Sequence, residues 1–437
     1  MKRLAFTLLA LLLAAPAAAQ LRVDITSGTQ EPMPVAVPVF PTPQVQDTRA
    51  GSTTELGRRV ADVITQNLTG TGLFRALPRN AYPTATVADV TAPRFDALQT
   101  ASAQGLVTGT VSANPDGTLS IGCYLYDVFS KEELVRRGFT TTVAGWRRAA
   151  HKCSDLVYSR LTGESGYFDS RIVYVAESGP RIKRVKRLAV MDQDGANHQF
   201  LTSGASLVLM PRFSPANETI AYLSFAGNRA RMMIYNVATG AQRPVGEFSG
   251  MSFAGRFSAD GQKLVFSVTS AGNSDIYVHD VASGSNRRLT SGNYIDTSPS
   301  FSPDGSKIVF ESDRGGSQQL YVMNADGSNA HRISFGQGRA GSPVWSPRGD
   351  LIAFTRMRGS QFRISVIRPD GSGERMLTDS WQDESPSWSP NGRVILFART
   401  ARNGRSELRS IDLTGRNDRR IPTPLEASDP SWGPLLK

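Results

Sequence analysis

The chain has 437 residues, of which 40% are hydrophobic and 20% are charged, and its formal net charge is +11. This composition excludes an intrinsically disordered chain, and the length favours two folded domains. The four histidines have no common spacing and only two cysteines are present, so the sequence does not support a zinc site.

The first 19 residues have the pattern of a secretory signal peptide. Basic residues at positions 2 and 3 precede an apolar run at 4–15, and three alanines follow. The run is too short to span a bilayer, so we expect cleavage before Gln20 and export of a protein without a membrane anchor. Nucleic acid is therefore not expected as a partner. The positive charge favours an acidic protein or an anionic envelope surface; alternatively, scattered arginines only keep the protein soluble.

Residues 20–34 form a short segment after the expected cleavage site. Apolar and polar side chains alternate in it, as in a half-buried strand, and its central residues are Leu21, Arg22, Val23, Asp24, Ile25, Thr26, Ser27 and Gly28. The prolines that follow, beginning at Pro32, would not continue a central strand. Two interpretations stay open: an N-terminal strand of the next domain, or a detached tail that adds itself as a strand to the sheet of a partner.

The pattern of residues 35–165 predicts an α/β domain. An edge strand is expected at 35–40, and Ser52 or Thr53 caps a helix whose apolar residues recur at helical spacing until Gly70. A second helix, three strands and a final helix are expected at 95–104, 106–111, 119–127, 134–142 and 146–161.

Both cysteines lie in this domain, Cys123 on a predicted strand and Cys153 on the last predicted helix. An exported protein permits a disulfide, which here would close a loop of about 30 residues. Two buried free thiols are the other interpretation, which the sequence alone slightly favours.

Residues 166–437 contain a sequence motif that occurs six times. It is an aromatic residue followed by Ser or Gly and usually Pro, and it recurs at steps of 43 or 44 residues at Phe213, Phe257, Phe301, Trp345, Trp388 and Trp432. Each unit accommodates four short strands, the size of one propeller blade. The last repeat ends after its aromatic motif and lacks a second strand. The strand at 172–174, in contrast, is of the second-strand type but no aromatic motif precedes it. We therefore expect a six-bladed β-propeller closed by the C-terminal strand, which leaves no open edge.

The loops from each outer strand to the next inner strand differ between repeats, whereas the turns are kept. Such loops usually carry the function of a repeat protein. They combine aromatic, basic and acidic side chains, which suits a protein-binding surface, and the candidates are Met251, Phe253, Tyr294, Asp296, Arg339, Trp381, Asp383 and Glu384. A small-molecule pocket would draw on the same residues.

No motif of an enzyme is found. The sequence lacks a nucleophile elbow, a zinc-protease helix and a phosphate-binding glycine loop. The run at 192–195, Asp-Gln-Asp-Gly, resembles the start of a calcium loop, but Asp-Gly turns occupy the same place in later repeats. We therefore expect no cofactor, although a channel cation such as calcium stays open. The alternatives to a binding protein are a hydrolase that uses channel carboxylates and a scaffold that binds envelope polysaccharide.

The chain resembles the TolB family of the Tol-Pal cell-envelope system over essentially its whole length. The most specific matches are Gly-Glu-Ser-Gly-Tyr-Phe-Asp at 163–169, Arg-Ile-Val-Tyr-Val at 171–175, Lys-Arg-Leu at 186–188 and the segment at 21–28. The resemblance implies a monomeric periplasmic adaptor without enzymatic activity, peripheral to the outer membrane through its partners.

In this family the propeller mouth binds the peptidoglycan-associated lipoprotein Pal, and the N-terminal segment binds TolA. The resemblance implies that the two events are coupled and that they support outer-membrane integrity and cell division. By position, Thr297 matches a family residue that contacts the lipoprotein, and Met251 falls near another that is often polar.

Overall fold

The computed structural model of the chain describes residues 21–23, 31–226, 229–246 and 251–437. The predicted signal peptide lies outside these residues and stays a prediction. Within the described parts of the chain, no helix is both long enough and apolar enough to cross a membrane. An N-terminal domain of helices and strands is followed by a propeller of β-sheets.

The N-terminal domain contains a six-stranded sheet with helices on both faces, as the α/β prediction requires. α1 and α4 cover one face, and α3 covers the other. The elements are β1 (Met33–Ala36), β2 (Asp47–Thr48), β3 (Gly51–Ser52), α1 (Thr53–Gly70), β4 (Phe74–Ala76), α2 (Val87–Thr91), α3 (Phe95–Thr100), β5 (Gly105–Thr108), β6 (Val111–Ala113), β7 (Thr118–Asp127), β8 (Glu132–Thr142) and α4 (Trp146–Thr162).

β1 lies inside the sheet, so the predicted edge strand at 35–40 is wrong. It runs parallel to β4 on one side and to β5 on the other. Both faces are buried, since Val35 packs in the core with α1 and α4, while Ala36 packs with Leu98 of α3. Pro34 is tolerated in this strand because pairing with β5 begins only at Val35.

Cys123 of β7 and Cys153 of α4 form a disulfide. Their Cα atoms are 5.8 Å apart, and both side chains are fully buried in the core between the sheet and the helices. The preference for two free thiols is therefore wrong. The sequence could not decide this, because it does not show that α4 packs directly on β7.

The propeller consists of short antiparallel strands in chain order. They are β9 (Ser170–Ser178), β10 (Val185–Asp192), β11 (Gln199–Phe200), β12 (Leu207–Phe213), β13 (Thr219–Ala226), β14 (Arg229–Asn236), β15 (Gln242–Pro244), β16 (Met251–Phe257), β17 (Lys263–Ser270), β18 (Asn273–Asp280), β19 (Asn286–Arg288), β20 (Thr297–Phe301), β21 (Lys307–Ser312), β22 (Gln319–Asn324), β23 (His331–Arg332), β24 (Arg339–Trp345), β25 (Ile352–Arg358), β26 (Gln361–Ile367), β27 (Arg375–Met376), β28 (Gln382–Trp388), β29 (Val394–Thr400), β30 (Ser406–Asp412), β31 (Arg419–Ile421) and β32 (Glu426–Leu435).

Among the described residues these strands form four sheets of four strands and one sheet of eight. The C-terminal strand β32 pairs with β9 and completes the first sheet, as predicted. The eight-stranded sheet holds two antiparallel groups, joined by a single parallel pair between Phe362 and Gln382. The predicted count of six blades is therefore not confirmed.

Six inner strands, β12, β16, β20, β24, β28 and β32, surround a central tunnel and run in the same direction. The aromatic residues at or near their ends, Phe213, Phe257, Phe301, Trp345, Trp388 and Trp432, all line one cavity. Neighbouring inner strands are joined at the same level by hydrogen bonds from the backbone N–H of Phe213, Trp345 and Trp432 to the Oγ atoms of Ser431, Ser300 and Ser387. We call the end with these aromatic residues the proximal end, and the end where the inner strands begin the distal end.

The N-terminal domain and the linker after α4 occupy the proximal end. Glu164 of the linker is bound by Arg348 and Arg393, which follow two different inner strands. Farther out, the guanidinium of Arg419 donates to the carbonyl oxygen of Gly70 at the end of α1, at 2.5 Å. The distal end is left facing away from these contacts.

Candidate protein-binding surface at the distal end

Exposed apolar side chains are concentrated at the distal end. Five of the eleven exposed large apolar side chains in the described parts of the chain lie in its loops or at the first residue of an inner strand. They are Ile182, Leu207, Tyr294, Ile295 and Phe335. Exposed apolar side chains on one end of a propeller suit a surface that binds another protein.

Tyr294 is held in place by an arginine that also satisfies a buried carboxylate. The guanidinium of Arg314 lies 5.3 Å from the ring centroid of Tyr294, and its Nη2 donates to Asp296 Oδ2 at 2.7 Å. Asp296 is only 1% exposed. The tyrosine is therefore available for contact, whereas Asp296 positions it through Arg314.

Trp381 and Asp383 show the same division of roles. Trp381 is half-buried under the guanidinium of Arg402, which lies 4.5 Å from the centroid of its ring. Asp383 is fully buried, and both of its oxygens accept hydrogen bonds from Arg399, at 2.7 and 2.8 Å. Asp383 thus stabilises the loop and does not reach the surface.

Glu384 lies farther along the tunnel, near Asp429 of β32. Burial raises the pKa of Glu384, and the nearby carboxylates of Asp429 and Asp383 raise it further. Asp429 accepts a hydrogen bond from Ser385 Oγ at 3.3 Å.

The remaining predicted residues are placed differently. Thr297 Oγ1 donates to Glu311, so its side chain is engaged within the propeller. Arg339, the first residue of β24, is exposed at the distal end. Met251 and Phe253 lie on β16, but their side chains are outside the described part of the structure.

Ile182, Leu207, Ile295 and Phe335 were missed from the sequence. Ile295 lies in the loop from β19 to β20 and Phe335 in the loop from β23 to β24, so a large apolar residue outside the strand pattern was the available signal. Leu207 begins a strand, and nothing in the sequence distinguishes it from a core residue.

The described part of the N-terminal segment lies against the N-terminal α/β domain. Residues 21–23 have no regular secondary structure, and the N–H of Val23 donates to the carbonyl oxygen of Leu161 at 2.8 Å. Leu21 and Val23 are partly buried against the core formed by α1, α4 and the sheet. The predicted binding residues Asp24, Ile25, Thr26, Ser27 and Gly28 lie outside the described residues.

Among the described residues, the group with metal-ligand character lies between the domains and not in the tunnel. It consists of His151, Asp192 and Asp194. Arg147 already binds both carboxylates, at 3.3 Å to Asp192 and 2.5 Å to Asp194. The Asp-Gln-Asp-Gly run thus contributes to contact between the domains, beyond the hairpin turn expected from its sequence.

Comparison with known protein families and with related proteins gives the same family throughout. The sequence-family model of the TolB amino-terminal domain matches residues 21–134, and the family model of the TolB β-propeller domain matches residues 158–436. The chain belongs to the TolB family of Tol-Pal system proteins.

Similar proteins cover nearly the full chain. The Tol-Pal system protein TolB of Rhizorhabdus wittichii is 59% identical over 436 residues, 99% of each chain. That of Zymomonas mobilis is 60% identical over 417 residues, covering 95% of this chain and 91% of the relative. A crystal structure of TolB from Acinetobacter baumannii matches with a TM-score of 0.80 at 27% identity, over 95% of this chain and all of that one.

Proposed function

We propose that this protein is a periplasmic adaptor without enzymatic activity. Its distal end binds a Pal-like lipoprotein and its N-terminal segment binds a TolA-like protein, and together these contacts support outer-membrane integrity and cell division. The observation that carries the first part is the concentration of exposed apolar side chains at the distal end. Membership of the Tol-Pal family supports the choice of partners.

The distal surface has the features of a protein interface. Tyr294, Ile295 and Phe335 supply apolar contact area. The exposed Arg339 begins the strand that follows the loop of Phe335. Aromatic and arginine side chains carry most of the binding energy in known interfaces. The proximal end is already occupied by the linker and the N-terminal domain.

A non-catalytic role is supported by the state of the distal carboxylates. A general acid or base must exchange its proton freely, but Asp296 and Asp383 are buried and bound by Arg314 and Arg399. A carboxylate that is buried and held by an arginine is not accessible to a substrate at the distal surface.

The N-terminal segment is suited to release. Among the described residues 21–23, one backbone hydrogen bond and two partly buried side chains hold it. A partner that offers a strand edge can replace these contacts of residues 21–23. We propose that the segment spans residues 20–34, and that Leu21, Arg22, Val23, Asp24, Ile25, Thr26, Ser27 and Gly28 take part in binding.

We also propose that the eight-stranded sheet acts as two blades, so that the monomeric propeller has six. Its two antiparallel groups share one parallel pair, at Phe362 and Gln382. The proposed domain limits are 35–165 for the N-terminal domain and 166–437 for the propeller.

Titration calorimetry with the soluble domain of the Pal-like lipoprotein tests this function. We expect Phe335→Ala and Tyr294→Ala each to weaken binding by about tenfold or more, because interface aromatics contribute on the order of 1–3 kcal/mol. Phe129→Ala is the matched control, since Phe129 is 61% exposed on the N-terminal domain and should leave binding unchanged.

Deletion of residues 20–28 supplies the second arm. We expect it to abolish binding of the TolA-like domain and to change the affinity for the lipoprotein. Lipoprotein affinity that is unaffected by both distal substitutions would overturn the placement of the interface, and TolA binding that survives the deletion would overturn the role of the segment.

A further inference from the structure

A cavity of about 590 Å³ lies in the tunnel at the proximal end. Its size is that of a pocket for a small molecule. The aromatic residues at or near the ends of all six inner strands contribute to its wall, and so do Arg212, Arg256 and Lys437. Among the described residues that line it, none is Asp or Glu, so the wall is apolar with a positive charge.

Arg212 and Arg256 have no acidic partner among the residues that the structure describes. Neither guanidinium forms an ion pair within 4.0 Å, although many other arginines of the propeller do. Arg212 is 7% exposed, and its Nη1 donates to the carbonyl oxygen of Pro211 at 2.8 Å. Burial lowers the pKa of both arginines, and the charge of Arg212 lowers the pKa of Arg256 further, whereas the carboxylate of Asp429 partly offsets the effect of burial on Arg212. Two neighbouring cations are thus held without an ion-pair partner among the described residues.

The two arginines occupy a strand position at which other inner strands have a serine that links neighbouring sheets by a hydrogen bond. At the same position of three other inner strands, Ser300, Ser387 and Ser431 accept a hydrogen bond from the backbone of the next strand. Arginine has no acceptor and cannot make this contact. A substitution that loses a hydrogen bond and buries charge does not stabilise the propeller, so we look for its reason in a ligand.

We propose that this cavity binds a small organic carboxylate with an aromatic or otherwise apolar body. The carboxylate lies between Arg212 and Arg256, which offer paired N–H donors to its two oxygens. The apolar body lies against the ring of aromatic residues that includes Phe257 and Trp388. This site is separate from the distal surface proposed for the lipoprotein.

The test uses the mature full-length protein and 4-fluorobenzoate, whose binding is followed by ¹⁹F NMR at constant ionic strength. The neutral analogue 4-fluorobenzamide has nearly the same shape but no charge. We expect saturable binding of the carboxylate and binding of the amide weaker by about tenfold or more, because hydrogen bonds to a charged group contribute on the order of 1.5–3 kcal/mol.

Arg212→Met and Arg256→Met should each reduce carboxylate affinity by about tenfold or more. Arg405→Met is the control, because Arg405 is exposed outside the cavity and its loss should change nothing. In the absence of ligand, Arg256→Met should also raise the melting temperature, since it removes a partly buried cation without an ion-pair partner among the described residues; an arginine that only supports the fold would have the opposite effect.

Three outcomes overturn the proposal. They are the absence of saturable carboxylate binding, equal affinity for the carboxylate and the amide, and unchanged affinity in both arginine variants. The comparison of the two probes needs only the wild-type protein, so the proposal stays testable if a variant does not fold.

Discussion

Reduction of the disulfide between Cys123 and Cys153 should destabilise the N-terminal domain strongly. The bond joins the central part of β7 to α4 through the interior, and both sulfur-bearing side chains are inaccessible to solvent. It also fixes the one helix that leads directly into the propeller linker. Its removal should therefore loosen the packing of α4 on the sheet.

The magnitude follows from the length of the closed loop. The cysteines are separated by 30 residues. The chain-entropy relation gives about 12 cal/mol/K for a loop of this size, which corresponds to about 3.5 kcal/mol at 25 °C. For a domain of this size each kcal/mol shifts the melting temperature by about 3–5 °C, so we expect the reduced domain to melt about 10–18 °C lower.

Circular dichroism at 222 nm is a suitable assay, because the four α-helices of the described residues all lie in the N-terminal domain. The mature protein is melted with and without reductant, and the double variant Cys123→Ala/Cys153→Ala serves as a control whose melting should not respond to reductant. Equal melting temperatures for both forms of the wild type, together with two reactive thiols in the denatured unreduced protein, would refute the reasoning.

Two further predictions concern α4 and the linker. Burial raises the pKa of Asp155 to about 6, so its ionisation should lower the stability of the folded protein as the pH rises from about 4 to about 6. Denaturant unfolding at both pH values should show that this loss is up to about 3 kcal/mol and that Asp155→Asn abolishes it. Glu164→Gln should lower stability by about 1 kcal/mol at low salt and less at high salt, because it breaks the ion pairs with Arg348 and Arg393; calorimetric melting at two salt concentrations measures this.

The outcomes that would contradict them are distinct. A wild-type minus variant difference that does not change between pH 4 and pH 6 would show that Asp155 keeps an ordinary pKa in the folded protein. A Glu164→Gln effect that is independent of salt would show that the residue acts through packing and not through charge.

The repeat pattern predicted most of the propeller because each copy carries its own turn chemistry and strand alternation. It also predicted the return of the C-terminal strand, since the first sheet lacks an inner strand of its own. It failed to place β1, whose partners β4 and β5 are distant in sequence. Parallel pairing depends on such long-range contacts, and Pro34 argued locally for an edge.

The site was predicted only at the level of its loops. Asp296 and Asp383 were assigned to the surface because they lie in variable loops, but each is buried and bound by an arginine, Arg314 in the turn after β21 and Arg399 on β29. Those arginines are 18 and 16 residues away, and strand register, which the sequence does not give, decides which pairs meet. The exposed apolar residues depend on the same register.

The structure offers a physical route between the two proposed binding sites. β24 and β28 begin at the distal surface near Arg339 and Trp381, and the turns after them carry Arg348 and Arg393, which both bind Glu164. Glu164 lies only three residues after Leu161, whose carbonyl oxygen holds the N-terminal segment. A small rotation of these two strands on lipoprotein binding would therefore act directly on the residues that retain the segment. Such a route gives coupling only if these contacts have two arrangements that both partners bias, so Glu164→Gln should reduce the effect of the segment deletion on lipoprotein affinity.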